Sequence, residues 1–364
     1  MIATLLLALA SQWTPVAPEV SPHPPGGNQR WSRVATDGAS EWVAWSGGND
    51  VFARRLDQLG PIVLVNQTTS GTQDEPECLL ASGNLIVAWS DRSGQWTDYM
   101  SAQGRVLDAT SGAPLSSEIA LSDLAIDGDA SRWRPLLFPL RAGGFGAAFT
   151  ATWNEAAFVR RFDADGVPLG ADAQHSPPSG ASSNYPTACE TKQGTVLCAF
   201  RRANDVWLSK APQSAAPLWA GQEPRLASNR RGLVALVWHD SGNVFLRRIG
   251  PNGALLGSAI AMQPIAGVQR DAAVAVLADS SVLVAWADDF ANVVRAAFFD
   301  SSGALVQSFQ LNSLPLGRPL TGEAGRNTPS VALAPDGKTA LIGWGGASRV
   351  SGGGRDCFVR RFVR

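Results

Sequence analysis

A short strand ending in an aromatic residue recurs seven times along the chain, and this repeat limits the fold more than any other feature. The copies are EWVAW ending at Trp45, LIVAW at Trp89, FGAAF at Phe149, TVLCAF at Phe200, LVALVW at Trp238, VLVAW at Trp286 and ALIGW at Trp344. Their spacing runs from 38 residues (Phe200 to Trp238) to 60 (Trp89 to Phe149). Self-similarity at this period marks a repeat architecture, in which one supersecondary unit is stacked many times. A small residue precedes nearly every copy, at Gly38, Gly83, Gly143, Gly194, Gly232, Ser280 and Gly337. Such a residue is a hairpin-turn signal. Before the turn lies another short strand, often opened by proline: Pro76, Pro135, Pro186, Pro224 and Pro329. After the aromatic comes a polar loop and a third strand, as in DVFARRL from Asp50, NVFLRRI from Asn243 and DCFVRRF from Asp356. A turn and a fourth strand follow, such as PIVLVNQ from Pro61.

Four short strands per unit, with no helical periodicity, predict an all-β fold: a seven-bladed β-propeller of four-stranded antiparallel blades. The blades fall at about 29–67, 68–122, 123–176, 177–222, 223–264, 265–313 and 314–364 of a single domain, 11–364. Each blade packs on neighbours through both faces, which accounts for 45% hydrophobic and only 17% charged residues without a membrane. The last unit stops after its third strand. The segment WTPVAPEVSP aligns with the fourth strand of the first blade, so residues 13–21 are expected to close the ring. Closure removes free sheet edges.

The repeat resembles secreted bacterial β-propeller proteins with blades of the pattern P-x-V-A…G-F-V-V-W…R-F-D-A-D-G. FVRRFDADGVPLG at 158–170 and SVALAPDGKTALIGW at 330–344 carry that resemblance. It implies a propeller at the cell surface or outside the cell, and no particular activity.

The N-terminal run IATLLLALA, ending in Ala8-Leu9-Ala10, reads as a signal peptide over 1–10. Export to the periplasm or the extracellular surface is therefore expected. No segment is apolar for 18 residues, so no membrane span is expected. A net charge of −1 gives no basic footprint for nucleic acid. The four cysteines form no C-x-x-C and only three histidines are present, so no structural zinc and no cofactor are expected. Cys189 and Cys198 flank the turn TKQG; a two-residue turn at Gln193-Gly194 sets them opposite each other, in position for a disulfide. Asp123, Asp127 and Asp129 in one loop are candidates for a Ca²⁺ site. Arginine pairs recur at one strand position (54–55, 160–161, 247–248, 360–361) and read as structural.

If the first strand of each blade is innermost, the residues just before it ring the channel mouth. Aligned, they are Arg30, Glu75, Arg134, Tyr185, Glu223, Asp271 and Thr328, flanked by Trp133 and Arg270. Aromatics, carboxylates and guanidinium groups on one concave face are the residue types that sugar recognition uses. A monomeric binding module for a glycan or a protein is the leading expectation, with Arg30, Glu75, Trp133, Arg134, Tyr185, Glu223, Arg270 and Asp271 as ligand residues. Three alternatives stand beside it. One is a sialidase-like glycoside hydrolase, in which Glu223 activates Tyr185 and Asp271 serves as acid. The others are a polysaccharide lyase and a purely architectural module of the envelope.

Overall fold

The computed structural model describes residues 12–16, 29–93, 100–123, 132–151, 156–177, 181–212, 214–262, 268–289, 291, 293–312, 329–347 and 355–364. It is a seven-bladed β-propeller: seven four-stranded antiparallel sheets and, among the described residues, no helix. Blades one to six run in chain order across 29–64, 73–120, 132–174, 183–220, 222–261 and 269–310. Blade seven combines Ser330–Leu333, Thr339–Ala347 and Arg355–Val363 with the N-terminal strand Thr14–Pro15.

The recurring aromatic ends the second strand's core segment in every blade. Trp45, Trp89, Phe149, Phe200, Trp238, Trp286 and Trp344 are all buried. Second-strand side chains alternate between two inter-blade layers because successive residues of a strand face opposite ways. In blade one, Val43 and Trp45 pack toward Leu341 and Val359 of blade seven, whereas Trp42 and Ala44 pack toward Leu85 and Val87 of blade two. Each blade thus has two apolar faces and no solvated one.

The N-terminal strand closes the ring as a fourth strand, with Thr14 opposite Val363 and Pro15 opposite Phe362. Trp13 does more than extend the sheet. It is buried against Phe298 of blade six, with ring centroids 5.0 Å apart. Its backbone amide donates to Gln307 Oε1 at 3.0 Å, and Gln307 Nε2 donates to the Trp13 carbonyl at 3.1 Å. Residues 13–15 therefore bolt the last blade to the one before it. Residues 17–21 of the expected closing strand lie outside the described residues.

The arginine pairs act as inter-blade clamps. Arg55 chelates Asp57 and donates to the Thr110 carbonyl of blade two at 2.7 Å. Arg361 pairs with Glu41 of blade one at 2.9 Å, and Arg248 donates to the Ser301 carbonyl of blade six.

The expected cysteine alignment fails by one residue. Glu190 pairs with Val196, so Cys189 faces Leu197 and Cys198 faces Ala188. The Gly194 amide bonds to the Thr191 carbonyl, and the Thr191 amide to that of Thr195, which makes the turn one residue longer than a two-residue hairpin. A one-residue change of register sends a side chain to the other face. Cys189 packs toward blade five and Cys198 toward blade three, and both are free thiols. Burial pushes both thiols up, Cys189 to about 12.

Two outcomes follow from the ring. Trp13→Ala is expected to lower unfolding free energy by about 3–5 kcal/mol, the usual cost of emptying a buried tryptophan site. The loss should appear as one cooperative shift in a denaturant melt. A variant that melts like wild type shows that the ring does not need this strand. Denatured without reductant, the chain should alkylate at all four cysteines; a mass two alkyl groups short would establish a bridge.

Candidate functional site

In six of the seven blades the first strand carries an irregularity that builds the channel mouth. In blades one to six its pairing with the second strand slips at one equivalent place: between Arg30 and Arg33, Asp74 and Glu77, Trp133 and Leu136, Asn184 and Thr187, Gln222 and Arg225, and Arg270 and Ala273. Such a slip is a β-bulge, which re-aims a side chain. At each bulge one non-glycine residue has positive φ: Trp31 (62°), Glu75 (53°), Arg134 (53°), Tyr185 (55°), Glu223 (48°) and Asp271 (54°). A left-handed conformation costs an L-residue on the order of 1–2 kcal/mol. Six repeats of that strain at one level of the ring are kept because the packed blades hold them in place.

The proline that follows the bulge marks four of these six positions, and alignment of the repeat adds Asp271, which Ala272 follows. In blade one Ser32 stands where a proline usually follows, and the bulge residue is Trp31, one beyond Arg30. Arg30 instead pairs with Ser46 on the second strand. Trp133 pairs with Thr150, and Arg270 turns to Asp289 with Nε–Oδ2 at 2.7 Å. Thr328, Asp127 and Asp129 lie outside the described residues. Asp123 is engaged by Arg160, with Nη2–Oδ2 at 3.4 Å. No cluster of metal-ligating side chains occurs among the described residues.

The bulge residues of neighbouring blades meet. Arg134 Nε lies 2.9 Å from Glu75 Oε1, and Ser90 Oγ donates to Glu75 Oε2 at 3.2 Å. The Arg134 amide in turn donates to Ser90 Oγ at 2.9 Å. The Arg134 guanidinium sits over two rings, 4.9 Å from the Tyr185 centroid and 5.8 Å from that of Trp31. These aromatics hold an arginine in place rather than offering two open platforms. Burial works against the charge on Arg134, but Glu75, Tyr185 and Glu223 outweigh it and its pKa rises.

Two residues further along the strands, a second level points the same way, as alternation requires. It includes Arg33, Glu77 and Arg225, which the sequence reading did not single out. Arg33 Nε lies 3.3 Å from Glu77 Oε2. Burial raises the Glu77 carboxyl, against the pull of Arg33 and Arg225. Both levels line one pocket of about 400 Å³, part of it open to solvent, walled otherwise by Pro76, Pro135, Leu136 and Pro186.

Beside the pocket, Glu223 and Asp271 share a hydrogen bond across blades five and six. Burial and the neighbouring Glu223 charge drive Asp271 well above the ordinary range, so it holds the proton. Burial also opposes charge on Glu223. The bond from Asp271 and the fields of Arg225, His239 and Arg134 outweigh it, and the pKa falls. Two adjacent carboxyls cannot both ionise cheaply, so one proton is retained. Burial lowers the His239 pKa, against the pull of Glu223.

No family model matches the chain, and no curated protein matches it by sequence. Solved structures do. A protein of unknown function from Dyadobacter fermentans is similar at TM-score 0.55 and 13% identity, over 97% of this chain and 99% of that one. The polysaccharide lyase Uly1 is similar at TM-score 0.53 and 8% identity, over 94% and 90%. An α-L-arabinofuranosidase from Fusarium graminearum is similar at TM-score 0.53 and 11% identity, over 95% and 97%. At these identities the likeness shows the propeller fold alone.

The shared proton gives a pH test. Native Asp271 keeps a proton that the unfolded chain releases above an ordinary value of 3.8. Wild-type stability therefore falls as pH rises from that value toward the raised native pKa, by up to about 1.4 kcal/mol per pH unit from this group. Asp271→Asn mimics the protonated acid and carries no such dependence. Its stability relative to wild type should climb steadily between pH 4.5 and 7 in denaturant melts. Parallel curves for the two proteins would mean that Asp271 is ionised in the fold.

Proposed function

We propose that this protein is an exported, glycan-binding β-propeller whose ligand seats in the channel-mouth pocket. The observation that carries the reading is the six-fold left-handed bulge, which brings Trp31, Glu75, Arg134, Tyr185, Glu223 and Asp271 to one level of the ring at a cost in backbone strain. Sugar hydroxyls both donate and accept, and they pair well with a carboxylate set beside a guanidinium. Glu75 and Arg134 form such a pair, fixed by Ser90 and by two aromatic rings. Fixing these side chains before binding removes part of the entropy cost of association. That an arabinofuranosidase and a polysaccharide lyase use the same fold supports a carbohydrate ligand. The apolar run and Ala8-Leu9-Ala10 at the N-terminus support export.

A second reading, hydrolysis or elimination on a polysaccharide, draws on the Glu223–Asp271 pair beside Tyr185. Paired-carboxylate glycosidases hold their acids about 5–9.5 Å apart to admit a nucleophile or a water. A direct hydrogen bond between Glu223 and Asp271 is closer than that, and both acids are buried. Binding without turnover fits this geometry better.

The test is a glycan array probed with the protein, followed by titration of any hit. Arg134→Ala should weaken binding at least about tenfold, the loss of roughly one charge-assisted hydrogen bond. Retention of full affinity by that variant would place the ligand elsewhere. Release of reducing or unsaturated sugar by wild type, abolished in Tyr185→Phe, would establish the second reading instead.

A further inference from the structure

Opposite the channel mouth, the far end of the ring is built from the hairpins between strands one and two and the turns between strands three and four. Arg141 of blade three, Lys192 and Lys210 of blade four, and Arg230 and Arg231 of blade five all lie in these connections, and all are exposed. They form one patch. Arg141 Nη2 donates to the Arg230 carbonyl at 2.6 Å, which ties blade three to blade five. Gly232 brings blades four and five together, since a Cβ there would stand 2.8 Å from Lys192 Cβ. A Cβ on Gly253 would stand 3.0 Å from Lys210 Nζ, and Pro251 of the same turn packs on Gly232.

One carboxylate enters the patch, Glu190, which accepts from the Arg141 backbone amide. The heads of Lys192, Lys210, Arg230 and Arg231 make no hydrogen bond or ion pair among the described residues. The nearest other acids are engaged or turned away. Asp279 of blade six is held by Arg364 at 3.0 Å. Asp163 and Asp165 belong to a turn that leans on blade two, where Asn84 Nδ2 donates to the Ala164 carbonyl at 3.0 Å. The other blades end in aspartates at this level: Asp37, Asp108, Asp300 and Asp336. A net charge of −1 thus conceals a positive sector three blades wide.

Cations gathered without counterions repel one another, and an anion with several charges relieves that repulsion at several points together. Guanidinium forks match the paired oxygens of carboxylate and sulfate, and lysines add point charges. Each exposed contact is weak by itself, so the partner has to repeat its charge along its length. A broad anionic layer would also meet the aspartates of the remaining blades. A narrow chain lies on the positive sector alone.

We propose that this sector docks a linear acidic polysaccharide, held by the carboxylate or sulfate groups that repeat along it. The site is separate from the channel-mouth pocket and does not depend on what that pocket binds. A protein with both sites grips at two ends of one ring.

The probes are dextran sulfate, polygalacturonate and neutral dextran, each immobilised and titrated with the full chain at low and high salt. At least one acidic polymer should bind about tenfold or more tightly than dextran, with the advantage shrinking as salt screens the charges. The two acidic arms tell sulfate from carboxylate. Arg230→Glu combined with Arg231→Glu replaces two attractions by two repulsions, and should weaken that binding at least about tenfold while the protein melts as wild type does. Lys338→Glu, on the same face but in blade seven, should change it by less than about twofold at physiological salt. Failure of both acidic polymers to bind at low salt overturns the proposal. Equal losses in the Arg230/Arg231 and Lys338 variants overturn the placement, because net charge alone would then explain the binding. Tighter binding to phosphatidylglycerol vesicles or to polyglutamate than to either polymer overturns the polysaccharide and makes the partner a lipid surface or an acidic protein. The pocket reading stands or falls separately, on the glycan array and Arg134→Ala.

Discussion

No blade of this protein has a face of its own. Trp45 packs into blade seven while its sequence neighbour Ala44 packs into blade two, and the same division repeats around the ring. A single blade therefore exposes two apolar surfaces and has no stable free form. Stability belongs to the closed circuit, and the circuit is joined where Thr14–Pro15 completes blade seven and Trp13 seats against Phe298. The arginine clamps serve the same end at the rim: each spans a gap between blades with a long side chain whose stem packs and whose head finds a carbonyl or a carboxylate.

The channel mouth depends on that circuit. A left-handed tyrosine, glutamate or arginine is unfavourable in an isolated strand, yet six of them hold their place because the strands on either side are fixed by neighbours. Strain at the inner edge of the ring is balanced by burial in its body. The pocket chemistry is in turn a property of adjoining blades. Glu75 belongs to blade two, Arg134 to blade three, Tyr185 to blade four, and the Glu223–Asp271 bond joins blades five and six.

The blade count, the buried aromatic and the ring closure are legible in the sequence, because each leaves a repeated local mark and repetition averages out the noise of any one copy. Positions 75, 134, 185 and 223 are legible for a sharper reason: a proline follows each. Blade one has Ser32 at that place, and the alignment there falls on Arg30 instead of Trp31. The deeper level of Arg33, Glu77 and Arg225 has its own signal, two residues along the same strand, which an eye fixed on loops passes over. Two things leave no mark. The register at Cys189 and Cys198 turns on whether three residues or two form the hairpin, and TKQG permits both. Which arginine meets which glutamate is decided by the angle between blades, and that lives in no single segment.

The bulge also separates two demands that proteins usually have to meet with the same residues. Its backbone is alike in six blades, while the side chain it carries is tryptophan, glutamate, arginine, tyrosine, glutamate and aspartate in turn. The packing that holds the ring together lies outward of this position, in the second and third strands. The mouth is thus a dial with independently lettered stops. One backbone device presents five kinds of side chain at the mouth, so the chemistry of the opening is set separately from the geometry that supports it.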